Sequence, residues 1–376
     1  MLTPRENLHR IFRHEMPERI PICGHVDPYN QPNREGMDPE LAEQMGAVEW
    51  YDLSTAIFSR YLGLDIMDYM GLPVRVLRRN VALDVARHGD DVLETWHTPA
   101  GDLRQVSRRC REDGTSYLVE HMVKSPADLP ALVALFEDEV IEVDPAALAA
   151  VRERQELIGD DGILMCFMAG TPLGMMYRVY SGVATLAYLY ADAPRALGDL
   201  FSVMERNYQR QLQLSVQSSA DAFVGMDDTS TTVISPAMFE RSSLACTDRR
   251  AQTCHENGKL YFHHSCGHIR DLLPLYRRTR MDAVHAFTVP PLGNVTVAEG
   301  RRLLGERISI ISAPGVLAEE SWDPQLVKTQ VHQFFVDAGR GDHLIVGLAA
   351  YPHRTVEQTK AVVDECRKYE ALPLRT

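Results

Sequence analysis

Residues able to do chemistry gather where short apolar runs end. In Tyr261-Phe262-His263-His264-Ser265-Cys266-Gly267-His268, an imidazole and a thiol stand two positions apart, at His264 and Cys266. Alternate side chains of an extended strand share a face, so these two point one way while His263 and Ser265 point the other. Gly267 then lets the backbone turn. Such a pair is half of a zinc site, because a catalytic zinc takes three protein ligands and keeps one position open. The plainer alternative is a core histidine beside a cysteine acting as a small buried hydrophobe.

Three other strand ends carry polar groups. Gly225-Met226-Asp227-Asp228-Thr229-Ser230 closes an apolar run with two adjacent acids, which must face opposite sides. Asp228 is the candidate to bind metal, orient a histidine or act as general base, while its neighbour starts the following turn or caps it. His285, within Ala283-Val284-His285-Ala286-Phe287, is placed to complete a metal site or donate a proton. His353 and Arg354 follow the last apolar run, where they either close over a ligand or cap the helix expected near Thr355. Two loops add candidate substrate contacts: His25 and Tyr29 beyond the first strand, and Tyr177 and Arg178 behind Gly170-Thr171-Pro172-Leu173-Gly174. A guanidinium there pairs with a carboxylate of a ligand or is simply solvated.

Positioning these groups requires a sizeable scaffold. The chain has 376 residues, 45% of them hydrophobic and 24% charged, an ordinary globular composition with enough apolar surface for a large core. A net charge of −13 without a basic cluster argues against nucleic acid as a partner. No apolar run approaches membrane-spanning length, and Met1-Leu2-Thr3-Pro4-Arg5-Glu6 lacks the apolar core of a signal peptide. Seven cysteines, an odd number with no repeated spacing, fit a reducing compartment, so a cytoplasmic protein is expected.

From Gly162 onward the rhythm is strand then helix. Apolar runs at Gly162–Met168, Ala222–Met226, Lys259–Ser265, Ala283–Phe287, Ile308–Ile311 and Leu344–Leu348 alternate with amphipathic segments such as Pro194–Ser219 and Asp323–Gly339. Repeated βα units bury a parallel sheet under helices. The spacing predicts an α/β chain folded as a (β/α)8 TIM barrel, a single domain over 1–376. A doubly wound sheet competes, but no G-x-G-x-x-G follows a strand and no Walker loop is present. Ahead of the barrel repeats, Thr3 caps an N-terminal helix with Pro4 first and Glu6 at the capping-box position. Alternation over 74–123, with turns at Gly89-Asp90-Asp91, Pro99-Ala100-Gly101-Asp102 and Asp113-Gly114, predicts a small antiparallel β insertion.

In order and spacing the chain resembles the uroporphyrinogen decarboxylase-like superfamily. The residues that carry the likeness are Thr3-Pro4-Arg5-Glu6 running to Pro17-Glu18-Arg19-Ile20-Pro21, and Asp227-Asp228 ahead of Ile234-Ser235-Pro236-Ala237-Met238-Phe239. His264-Ser265-Cys266-Gly267 and Pro290-Pro291-Leu292-Gly293-Asn294-Val295 complete the set. The resemblance implies a TIM barrel and one of two chemistries: cofactor-free decarboxylation of a porphyrinogen, or zinc-assisted methyl transfer to or from a corrinoid carrier. True decarboxylases of the family have an arginine-rich N-terminal loop with an Arg-x-x-x-Arg arrangement, whereas Gly24 to Pro32 holds no arginine before Arg34. His264 and Cys266 match the zinc motif of the corrinoid-dependent methyltransferases, and the insertion with Lys124-Ser125-Pro126-Ala127-Asp128-Leu129 looks like their O-demethylating branch.

Those enzymes take a third ligand, a cysteine, after the last barrel strand. Here that stretch reads Gly347-Leu348-Ala349-Ala350, so His285, Asp228 or His353 must complete any site. The chain has no D-x-H-x-x-G corrinoid motif, which puts the corrinoid on a separate protein. The resemblance also implies a homodimer. The leading expectation is a zinc-assisted methyltransferase acting between a small-molecule substrate and a corrinoid protein or other methyl carrier. Its rival is a metal-independent decarboxylase or related lyase on a carboxylated small molecule, with Asp228 stabilising a developing cation and Arg178 or Arg354 binding carboxylate. A third reading is a barrel that binds a small ligand or tetrapyrrole without turnover.

Overall fold

The computed structural model describes residues 2–25, 55–111, 116–315, 321–349 and 355–372. Its strands are β1 (Ile22–His25), β2 (Asp65–Gly71), β3 (Val74–Leu77), β4 (Ala82–His88), β5 (Asp91–Thr98), β6 (Gly101–Arg109) and β7 (Ser116–Glu120). There follow β8 (Val140–Val143), β9 (Gly162–Ala169), β10 (Ala222–Met226), β11 (Leu260–His264), β12 (Ala283–Phe287), β13 (Ser309–Ser312) and β14 (Leu344–Ala349). β1, β2 and β9 through β14 close into a barrel in chain order, every pairing between neighbours parallel. Helices follow the strands and cover the outside, among them Pro194–Ser215, Leu244–Glu256 and Pro324–Asp337. The TIM barrel expected from the apolar runs is the fold observed.

One barrel strand escapes the apolar pattern. β2 contains Asp65 and Asp68, both buried, which interrupt its hydrophobic run. Each carboxylate has its own cation: Arg19 donates to Asp65 at 2.7 Å, and Arg154 donates to Asp68 at 2.9 Å. A buried charge is tolerated when it is paired in this way.

Inward-facing residues alternate along the strands, as a closed parallel barrel requires. Cys23, Met67, Ile163, Met165, Ala222, Val224, Phe262, Ala283, Ile311 and Ile345 fill the interior. The helix Pro4–Phe12 closes the end at which the strands begin. Its Leu8, Ile11 and Phe12 join the same cluster, and Phe12 stacks on Phe262 with centroids 5.0 Å apart. The capping box of Thr3 and Glu6 starts this helix. Arg5 ties it to the barrel, donating to the Gly162 carbonyl oxygen at 2.9 Å and pairing with Asp221. The opposite end, where strands finish, is left for chemistry.

The antiparallel element is a four-stranded sheet in the order β4-β5-β6-β7. It occupies 82–120, inside the stretch predicted for the insertion. β3, expected to belong to it, instead pairs antiparallel with β8. The strand pattern is the same in both cases, and the partner differs because β8 lies beyond the helix Leu129–Glu137, out of reach of any hairpin reading. Leu103 and Trp96 turn one face of the sheet toward the main core.

Candidate metal centre

β11 follows its alternation: Phe262 lies in the barrel interior, so His264, two residues on, comes to the mouth. His263 and Ser265 are fully buried on the other face, between barrel and helices. The His263 ring packs against Phe239 and Tyr276, and Ser265 Oγ donates to the Thr229 carbonyl oxygen at 2.8 Å. Burial drives the His263 pKa down to about 4, despite a carboxylate oxygen of Asp227 at 3.4 Å. It is therefore neutral and packed. Gly267, three residues past the end of β11, has φ of 83°, and its N–H donates to Thr288 Oγ1 at 3.0 Å.

The two acids just beyond β10 point to opposite sides. Asp227 turns toward the helices, where Oδ1 accepts from the Thr171 N–H at 2.8 Å and from its hydroxyl at 2.7 Å. A Cβ on Gly174 would stand 2.0 Å from that oxygen, so a glycine is needed there. Asp228 adopts φ of 50°, an uncommon backbone for a residue with a Cβ, and this turns its side chain to the mouth. One oxygen, Oδ1, lies 2.9 Å from His264 Nε2 and accepts from the Cys266 thiol at 3.8 Å. The other, Oδ2, is 2.6 Å from Arg178 Nε.

Three donor atoms of different chemistry thus converge. A nitrogen of His264, the sulfur of Cys266 and an oxygen of Asp228 all lie within 4.8 Å of one another. In a tetrahedral site with metal–ligand bonds of about 2.0–2.3 Å, neighbouring donors stand roughly 3.3–3.6 Å apart. The observed 2.9 and 3.8 Å bracket that spacing. A nitrogen, sulfur and oxygen set also suits zinc better than a hard cation. The residues present fit the ion.

Neighbouring groups fix these donors. His285 is paired in register with His264 across β11 and β12, and the two Nδ1 atoms are 2.8 Å apart. The Phe167 ring stands edge-on to His285 at 6.2 Å and stacks on Tyr69 at 4.7 Å. For Asp228, burial pushes the carboxyl pKa up, but the hydrogen bond from His264 and the charges of His264 and Arg178 outweigh it and hold it below the ordinary value. For Cys266, burial and the adjacent Asp228 push the thiol up to about 11. A cavity of about 190 Å³ opens against Cys266, with Thr288, Ser312 and Gly347 among its walls.

The remaining sequence candidates fall in several places. Tyr177 is buried and braces the loop, its hydroxyl donating to the Asp227 carbonyl oxygen. Arg178 stands at the mouth, bound to Asp228 and to the Met226 carbonyl oxygen. His25 is the last residue of β1, in register with Ala349 of β14. Tyr29, His353 and Arg354 lie outside the described residues, and Thr355 caps the helix Val356–Arg367. Phe167 and Thr288 were not singled out from sequence. The inward parity of Ile163, Met165 and Phe167 along β9 was the available sign for the first; Thr288 gave none.

The family model described as uroporphyrinogen decarboxylase (URO-D) matches residues 107–369. The chain belongs to the uroporphyrinogen decarboxylase family. As a family member it shares its fold with a methyltransferase from Methanosarcina mazei, at TM-score 0.63 and 15% identity over 98% of this chain and 99% of that one. A Listeria monocytogenes protein described as a vitamin-B12 independent methionine synthase overlaps less, at TM-score 0.41 and 14% identity over 60% of this chain and 70% of that one. No curated protein sequence matches this family member. Among the described residues no helix is long and apolar enough to cross a membrane.

Proposed function

We propose that this member of the uroporphyrinogen decarboxylase family is a zinc-assisted methyltransferase of the corrinoid-linked, O-demethylating kind. It moves a methyl group between a small molecule and a corrinoid carried on a separate protein. The observation that carries the reading is the convergence of His264, Cys266 and Asp228 at the barrel mouth, where active sites of this fold form. Asp228 supplies the third donor, the role that falls to a cysteine in the family pattern. The shared fold with the Methanosarcina mazei methyltransferase is compatible with it. All seven cysteines are free thiols, in keeping with a cytoplasmic enzyme.

Zinc held there supplies Lewis acidity to the heteroatom that bears or receives the methyl group. The side chains do the rest. His264 offers Nε2, so its Nδ1 carries the proton and donates it in a hydrogen bond to His285 Nδ1, which fixes the ring. Cys266 gives up its proton to act as thiolate. Arg178 grips Asp228 Oδ2, leaving Oδ1 aimed at the other two donors. Phe167, Tyr69 and Met226 line the inner side with apolar surface that packs the substrate body and excludes water.

The decarboxylase reading needs a guanidinium available to a substrate carboxylate; Arg178 already serves Asp228, and its other candidate, Arg354, lies outside the described residues. Elemental analysis of protein purified without chelator separates the two. Near-stoichiometric zinc, lost on Cys266→Ser, is expected; a metal-free protein that releases carbon dioxide from a carboxylated substrate would replace this reading with the other.

A further inference from the structure

A cavity of about 480 Å³ lies on the flank of the barrel, away from the mouth. It sits between the helices Pro194–Ser215, Pro236–Ser242 and Leu244–Glu256, within the size range of small-molecule pockets. Buried Leu197 and half-buried Tyr190 and Phe201 provide an apolar floor. Three exposed arginines, Arg206, Arg241 and Arg249, line the same space.

Among the described residues no acid answers their charges: none of the three guanidinium groups has a carboxylate within ion-pair distance. The one acid in the lining, Glu205, is committed to buried Arg250, with an N···O distance of 2.7 Å. Nearby Glu240 pairs with Arg278, and Asp248 with Arg280. In a chain of net charge −13, three unanswered cations around one apolar hollow form a local positive field.

We propose that this cleft binds a small organic anion: an aryl or acyl body on the floor, with a phosphate, sulfonate or carboxylate held by the three arginines. Guanidinium forks match such groups, and the apolar floor distinguishes the ligand from inorganic anions. Nothing in the catalytic reading requires this site, and its test is independent of metal content.

The test is fluorescence titration of the full chain with 8-anilinonaphthalene-1-sulfonate, an aryl sulfonate, and with N-phenyl-1-naphthylamine, its uncharged counterpart. The sulfonate should saturate one site per chain. Its affinity should fall by roughly tenfold or more in the Arg206→Gln/Arg241→Gln/Arg249→Gln variant, as expected for lost charge-assisted contacts, while the uncharged dye is unaffected. Phe201→Ala should weaken both dyes, and Arg87→Gln, on β4 and outside the cavity lining, should change neither. Unaltered sulfonate binding in the triple variant or in Phe201→Ala would overturn the assignment, as would equal loss of the uncharged dye in the triple variant. The three arginines are exposed, and circular dichroism checks that their variants fold.

Discussion

His264 and His285 face each other across adjacent strands with their Nδ1 atoms 2.8 Å apart. One ring must donate to the other, so the orientation of the His264 imidazole is set by its neighbour. Replacing His285 with phenylalanine keeps the volume and removes the acceptor. Zinc affinity should fall by about 10- to 100-fold, the usual cost of losing such a partner, with the fold retained. Competition against a chromophoric chelator measures it, and an unchanged affinity would deny His285 this role.

The Cys266 thiol, pushed up to about 11 by burial and by Asp228, is protonated near neutrality without metal. Ligation through sulfur must release that proton. Calorimetric titrations with zinc in buffers of different ionisation enthalpy should therefore show at least one proton released per ion, and affinity should strengthen as pH rises. Zero release would contradict a thiolate ligand.

His263, one residue from that centre but on the opposite face, makes a pH prediction for stability. Burial lowers its pKa to about 4 in the folded chain, whereas the unfolded value is near the ordinary 6.5. Above 6.5 both states are neutral and nothing is lost. As pH falls toward 4 the unfolded chain takes up a proton that the folded chain refuses, so stability declines, in total by on the order of 3 kcal/mol. Urea denaturation across this range should show a flatter dependence in His263→Gln than in the native protein. Equal slopes would mean that the imidazole is not held neutral.

The helix Pro4–Phe12 should matter to stability out of proportion to its length. Phe12 is buried against Phe262 inside the barrel, and Phe12→Ala would leave a void that the closed wall cannot collapse to fill. A cost of about 3–5 kcal/mol is expected. A shift in the urea midpoint at constant slope checks it, and a cost below about 1 kcal/mol would show that the plug contributes little.

Much of the barrel was legible because strands buried on both faces read as continuous apolar runs, as at Ala222–Met226 and Leu344–Leu348. β2 was not, since Asp65 and Asp68 break its run and are made tolerable by Arg19 and Arg154, partners remote in sequence. At the mouth, strand parity alone placed His264 opposite to His263, and adjacency separated Asp227 from Asp228. The bond from Arg178 to Asp228 joins the helical segment Met176–Tyr180 to the loop after β10, and no local pattern encodes it. Likewise, that Tyr177 supports a carbonyl oxygen of the neighbouring loop follows from a packing contact rather than from spacing.

β1 lies between β2 and β14, with Ile22 in register with Val346. A ribosome therefore delivers the first staves of the barrel long before the last, and at about 5–20 residues per second the wait is on the order of tens of seconds. Until then Leu8, Ile11 and Phe12 have no closed cylinder to enter. A nascent chain of this protein carries a sticky, unsealed intermediate through most of its synthesis, and prematurely terminated products should be natural clients of chaperones and proteases.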